Sequence, residues 1–229
     1  MSGSSGKRGL VIDNGSCWIK SGFSKDEAPR SMAPSIVGRL KHKGVMVATD
    51  NRSTYVGAEA KSKRGLLNVT TPIVAGQVTD WKAMEQVWHH TFFDELRVSP
   101  EEQSVLLTEA PVNSFDNRKR TLELMFEIFC TPSVYIGNTA VLSLYASGRT
   151  TGCVVESGHT ATHVVPIFEG YALPHATKKM SWGGLNITNH LAKLLTDKGF
   201  VGSTHHLHVN QMHALIIIFS PQVFFLLTS

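Results

Sequence analysis

The sequence predicts an α/β protein, and three observations carry that reading. Two hairpins with the same turn chemistry stand far apart in the chain, at Leu10–Phe23 and at Val154–Ala176. Between them, short apolar runs of strand length alternate with segments of helical period, the pattern of layered α/β folds. The composition is 42% hydrophobic and 17% charged over 229 residues, an ordinary globular balance that suffices for one large or two small domains.

The second hairpin organises the reading. Val154-Val155-Glu156 leads into a small Ser157-Gly158 turn, and Val164-Val165-Pro166-Ile167-Phe168 leads out. The first hairpin repeats the grammar: Leu10-Val11-Ile12, then Asp13-Asn14-Gly15-Ser16, then Trp18–Phe23. A turn bearing an acid, a glycine and a hydroxyl offers backbone N–H groups to phosphate oxygens and a carboxylate to a hydrated cation. Each turn alone is also ordinary turn chemistry. The matched pair points to a duplicated fold that holds a nucleotide's phosphates between two turns.

The net charge of +4 is modest, and no basic stripe interleaves with aromatics, so a nucleic-acid partner is not implied. Cys17, Cys130 and Cys153 are odd in number and widely spaced, which fits a reduced intracellular chain better than a disulfide scaffold or a zinc site. Met1–Gly6 has no apolar h-region and does not read as a signal peptide.

In chain order, Asp26–Pro34 after the first hairpin reads as a Pro-punctuated loop, and Ser35–Gly38 as a strand. Lys41–Val47 is a basic loop running into apolar residues, either a partner contact or an ordinary surface loop. Asp80 caps an amphipathic helix with Trp81, Met84, Val87, Trp88, Phe92 and Leu96 on its core face. Ser99-Pro100-Glu101-Glu102 has the form of a capping box with Pro at the first helical position. Val105–Leu107 is a buried strand. Asn113 opens a helix that turns Leu122, Met125, Phe126 and Phe129 inward, and Thr139–Ser147 is a third helix, stopped by Gly148.

Long segments of this chain resemble actin: SKRG at Ser62–Gly65, WHHTFFDELRVSPEE at Trp88–Glu102, LLTEAP at Leu106–Pro111, AVLSLYASGRTTG at Ala140–Gly152 and EGYALPHA at Glu169–Ala176. The resemblance runs from about Leu10 to Gly199. It implies the actin-like ATPase fold: two lobes, each a five-stranded mixed sheet flanked by helices, with ATP or ADP and a divalent cation, Mg2+ or Ca2+, in the cleft. It divides the chain into an N-terminal segment (1–9), a complete first lobe (10–148) containing a partner-contact loop (39–52), a partial second lobe (149–199) and a tail without family counterpart (200–229). The expected localisation is cytoplasmic, with the cytoskeleton.

Carried over position by position, the resemblance gives Asp13 and Glu156 to the hydrated cation. It gives Gly15, Ser16 and Lys20 to the first phosphate turn, Ser157 and Gly158 to the second, and His163 to placement of the attacking water. Asp13, Lys20 and Glu156 are expected to converge. Such roles suit phosphoryl transfer, which needs charge neutralisation and positioned water more than covalent chemistry. The departures are equally specific. Glu156 stands where the family has Asp, His159-Thr160 where it has Asp-Gly, Cys17 where it has a glycine, Thr139 where it has the water-orienting glutamine, and Ala75 where it has a histidine near the phosphate-release route. Five changes around one site imply weak or absent hydrolysis. Gly6-Lys7-Arg8 replaces the family's acidic start, and Trp182-Gly183-Gly184 with Lys178-Lys179 departs at the approach to a helix over Leu185–Asp197.

The resemblance also implies that actin or actin-binding proteins meet the loop at His42, Gly44, Val45 and Met46. Beyond Gly199 the chain is expected to lack much of the second lobe, so that it does not polymerise alone. In the tail, Ala214–Leu227 is 14 residues broken by Ser220-Pro221-Gln222, too short to span a bilayer. His205, His206, His208 and His213 lack orderly ligand spacing for a metal. Two functional classes stay open: an actin-like cytoskeletal ATP-binding subunit with poor hydrolysis, and a non-catalytic actin-like interaction module or truncated non-functional product.

Overall fold

The period-two burial of the first hairpin sets the frame. In β1 (Leu10–Asn14), Leu10 and Ile12 share one face and are fully buried, and β2 (Trp18–Phe23) pairs with it in register from Leu10↔Phe23 to Asn14↔Ile19. This is a computed structural model, and it describes residues 8–41 and 52–199 together with the backbone of 225–227. The chain forms two compact units, Met1–Thr139 and Ala140–Ser229.

In the first unit β1 also pairs in parallel with β9 (Ser104–Glu109), and β9 in parallel with β10 (Ser133–Asn138). With β3 (Ser31–Pro34) beyond β2, the sheet order is β10-β9-β1-β2-β3, a five-stranded mixed sheet. A parallel pair needs a crossover long enough for a helix. Here those crossovers carry α2 (Trp81–His89) and α3 (Phe115–Glu123). The β3 segment reads as loop in the sequence because of its prolines. It is instead an edge strand, and Pro34 ends it opposite Trp18, where a missing N–H costs no ladder bond.

A smaller sheet in the order β5-β4-β6 joins β4 (Val37–Leu40), β5 (Thr54–Val56) and β6 (Leu67–Thr70). The strand expected from Ser35 thus begins two residues later, and Ser35 N–H is spent on Cys17 O instead. The short helix α1 (Gly57–Ser62) covers this sheet over a core of Tyr55, Ala60 and Leu67. A two-residue hairpin follows, β7 (Ile73–Val74) with β8 (Gln77–Val78), turned at Ala75 and Gly76 with φ of 49° and 77°.

Asp80 caps α2 as expected, its carboxylate accepting from Ala83 N–H at 2.9 Å. Met84, Val87 and Trp88 are buried, whereas Trp81 and Leu96 are only partly covered. The helix continues as a wide π turn over residues 90–95, and α3 does the same over 124–128. An i→i+5 turn adds a residue per repeat and rotates the apolar face. That is why Leu124 is buried and Phe126, expected inward, is exposed, while Met125 and Phe129 do reach the core. The helix cap is Ser114 rather than Asn113. The Ser99–Glu102 motif is a single 3-10 turn at Pro100–Glu102 in which the Ser99 side chain makes no cap bond.

In the second unit, α4 (Thr139–Ala146), whose first residue closes unit one, packs Ala140 and Leu144 on Val154, Val165 and Ile167. Gly148, at φ 75°, takes the left-handed position after it. The strands are β11 (Gly152–Ser157), β12 (Thr162–Phe168), β13 (Tyr171–Ala172), β14 (Lys178–Met180) and β15 (Phe225–Leu227). Among the described residues all their pairings are antiparallel, and the mixed five-stranded sheet of the expected fold is the one in the first unit. From β11 to β14 the strands are joined by connections too short for a crossover. The helix α5 (Gly184–Asp197) follows β14.

The loop residues His42, Gly44, Val45 and Met46 lie outside the described residues, as do the tail histidines and all of 200–224. No helix among the described residues is long and apolar enough to cross a membrane.

The cap gives the first test. Asp80→Ala removes the acceptor for Ala83 N–H and is expected to lower stability by about 1 kcal/mol. Urea denaturation of both proteins would check it through a lower midpoint at unchanged slope.

Candidate functional site

The first turn is fixed from outside itself. Thr108 on β9 donates its hydroxyl to Asp13 Oδ1 at 2.7 Å and accepts Asn14 N–H at 3.0 Å. The Asn14 side chain donates to Thr108 O at 3.1 Å and accepts Trp88 Nε1–H at 3.0 Å. Lys20 Nζ stands 3.3 Å from Asp13 Oδ2, opposite it in the β1–β2 register. Both side chains of that pair are partly open to solvent, 45% for Lys20 and 35% for Asp13, so it contributes little stability. What it provides is an acid and a base held at the mouth of a turn.

Gly15 sits where a Cβ would lie 2.4 Å from Trp18 O, so the turn excludes a side chain there. Its own N–H bonds Asp13 O at 3.2 Å. Ser16 and Cys17 follow, and burial pushes the Cys17 thiol pKa up, against an opposing pull from the Lys61 ammonium. Behind the turn lies a cleft of about 30 Å³, large enough to admit water, lined by Asn14, Gly76, Thr108, Glu109 and Asn113 among others.

The second turn is fixed differently. Gly158 N–H closes it on Ala161 O at 2.8 Å. The carbonyls of Gly158 and His159 accept the first amides of α5, Gly184 N–H and Leu185 N–H, each at 2.9 Å. A Cβ on Gly183 would lie 2.5 Å from Gly158 O and 2.7 Å from His159 O. Thr162 donates to Trp182 O at 2.7 Å. A hydroxyl has one proton, and a carbonyl only accepts. The 3.1 Å contact between Ser157 and Thr162 therefore has Ser157 as donor.

Glu156 Oε1 accepts from Ser143 Oγ at 3.1 Å. His163, opposite Glu156 in the β11–β12 register, is 5% exposed, and its Nε2 is buried without a hydrogen-bond partner. Burial holds its pKa below the usual 6.5, and Lys179, opposite it on β14, adds to the shift. Asp13, Gly15, Ser16 and Lys20 thus share one hairpin in the first unit. Glu156, Ser157, Gly158 and His163 share one hairpin in the second.

The family model for actin matches residues 5–214, most of the chain. The chain belongs to the actin family. The match reaches past Gly199, so the stretch just beyond it, expected to lack any family counterpart, falls within the actin model. The positions that resemble actin's phosphate turns are the ones at which this actin-family chain builds its two constrained turns.

Several residues of the site escape a reading of the sequence alone. Thr108 lies inside the LLTEAP run, but its bonds to Asp13 and Asn14 span more than 90 residues. Gly183 and Thr162 carry no local motif either. Trp182-Gly183-Gly184 stands out in the sequence only as a departure from the family at the approach to α5.

His163 sets a pH test. Its folded pKa is depressed, so the unfolded chain takes a proton first as pH falls below about 6.5. Stability from this group is present above that value and is lost on acidification. His163→Gln should flatten part of the fall in urea midpoint between about pH 7.5 and pH 5. A variant with the same slope as the parent would assign the acid sensitivity elsewhere.

Proposed function

We propose that this actin-family chain is a cytoskeletal nucleotide-binding protein that takes an adenine nucleotide with a divalent cation through its two hairpin turns and hydrolyses it slowly. The observation that carries the reading is the Asp13 carboxylate, held by Thr108 on one oxygen and paired with Lys20 on the other. A weak, half-exposed pair at a turn that has no room for a side chain at Gly15 is arranged for a ligand rather than for stability.

The residues fit the group. The buried, unpartnered Nε2 of His163 is a polar atom that asks for a water or ligand oxygen. In the first hairpin Asp13 would hold the hydrated cation, and Lys20 and Ser16 the phosphate oxygens. Glu156 is the acid that the second hairpin would offer a cation. Gly158 N–H is spent within its own turn, so the second turn would act through its other groups. When bound, the divalent cation neutralises phosphate charge and so eases transfer of the terminal phosphoryl group. Lys20 adds a positive charge at a position fixed by the β1–β2 register. His163, kept neutral by burial, can orient a water at Nε2 without carrying charge into the site.

Slow turnover follows from the side chains present. Thr139 is shorter than the family's glutamine amide and cannot place a water at the same reach. Glu156 extends one methylene further than Asp into a tight cation shell. His159 brings no carboxylate. Misplacement of about 1 Å in such a site costs roughly 100-fold in rate.

Titration calorimetry of the purified chain with Mg-ATP is the test. Saturable binding is expected, weakened at least about tenfold by Asp13→Asn, which keeps the size and removes the charge. Absence of heat with the parent protein would favour the non-catalytic interaction module. In single-turnover assays Thr139→Gln combined with His159→Asp should raise hydrolysis, and a flat rate would place the defect elsewhere.

A further inference from the structure

The chain's positive charge is not spread over it. Residues 37–41 and 52–70, the β5-β4-β6 sheet with α1, carry six Lys and Arg (Arg39, Lys41, Arg52, Lys61, Lys63, Arg64) and one acid, Glu59, for a net +5 against +4 for the whole chain. The rest of the molecule is therefore close to neutral.

Local structure gathers these cations. Lys41 N–H bonds Leu66 O, and its Nζ bonds Gly65 O at 3.1 Å, which fastens the end of β4 to the turn that carries Lys63 and Arg64. Arg52 and Lys63 both reach Glu59, at 3.6 and 2.7 Å, so one carboxylate serves two cations. Lys63 also lies over the Tyr55 ring and Lys61 over the Trp18 ring. A half-buried guanidinium, Arg39, leaves its Nη2 buried without a hydrogen-bond partner. Like charges packed this closely raise the local potential and favour an anionic partner.

We propose that this basic sheet is a docking surface for an extended acidic segment of another protein. Two features select that occupant over other polyanions. Tyr55 is 1% exposed beneath Lys63, and the half-buried Trp18 ring is covered by Lys61, so among the described residues neither ring is an open platform on which nucleic-acid bases would stack. Leu66 is the large apolar side chain exposed among these residues, which is little for insertion into a lipid surface. A sheet of three strands, by contrast, has β5 and β6 as edges, and an extended chain can add along an edge while its carboxylates meet the flanking cations. The surface is independent of the nucleotide reading, since none of its residues belongs to either turn.

Fluorescence anisotropy with a labelled oligoglutamate peptide tests it on the full chain. Saturable binding is expected at low salt, weakening as salt rises. Lys41→Glu with Arg64→Glu should weaken it about tenfold or more. The same charge change on α3, Lys119→Glu with Arg120→Glu, should leave it nearly unchanged. Lys41→Gln with Arg64→Gln serves if the reversal disturbs folding, and should give an intermediate loss. Three results would overturn the proposal: no saturation with the peptide, equal loss from the α3 pair, or tighter binding of phosphatidylserine vesicles or duplex DNA than of the peptide.

Discussion

The hydroxyl of Thr108 holds the first turn in place. It gives its proton to Asp13 and takes one from the Asn14 amide, and it does so from a strand that lies 95 residues away from Asp13 in sequence. The parallel register of β1 on β9 brings the two together, with Ile12 opposite Leu107 one step before. Each such bond is worth on the order of 1 kcal/mol net. Their larger effect is geometric, because a carboxylate with one oxygen fixed and the other facing Lys20 has few orientations left. Trp88 extends the same fastening to α2 through Asn14. The position of the turn is thus a property of the sheet and its covering helix, and core packing beneath it bears directly on the site.

Among the described residues the second turn has no parallel strand to lean on. Its carbonyls are held by the opening amides of α5, groups that every helix leaves without internal partners. The close approach demands glycine at Gly183, and the Thr162 bond to Trp182 O fixes the same segment from the side. Two turns with one chemistry are therefore built by two supports, one from sheet register and one from a helix end. The departures at Cys17, Glu156 and His159-Thr160 fall on the turns, whereas Thr108, Asn14 and Trp88, which support the first, keep to long family-like runs or to the hairpin itself.

Much of this was legible in the sequence because it is local. The β1–β2 hairpin, the Asp80 cap, the α4 stop at Gly148 and the β11–β12 hairpin all follow from period, capping and turn chemistry within a few residues. What escaped had non-local causes. Strand β3 was hidden by prolines that an edge position tolerates. A π turn shifts the helical face and leaves Phe126 exposed, and no residue type announces such a turn. The antiparallel second sheet depends on which strands meet, and short local patterns do not encode that. In the site, acid, glycine and lysine stood out by type, while Thr108, Thr162 and Gly183 gain their roles from partners far along the chain.

The central claim is that both turns meet the nucleotide's phosphates and cation, and amide hydrogen exchange measures that at each turn separately. With Mg-ATP present, peptides covering residues 13–18 and 157–162 should both exchange more slowly, while those covering β6 stay unchanged. Exchange that is unaltered at either turn under saturating nucleotide would contradict the account.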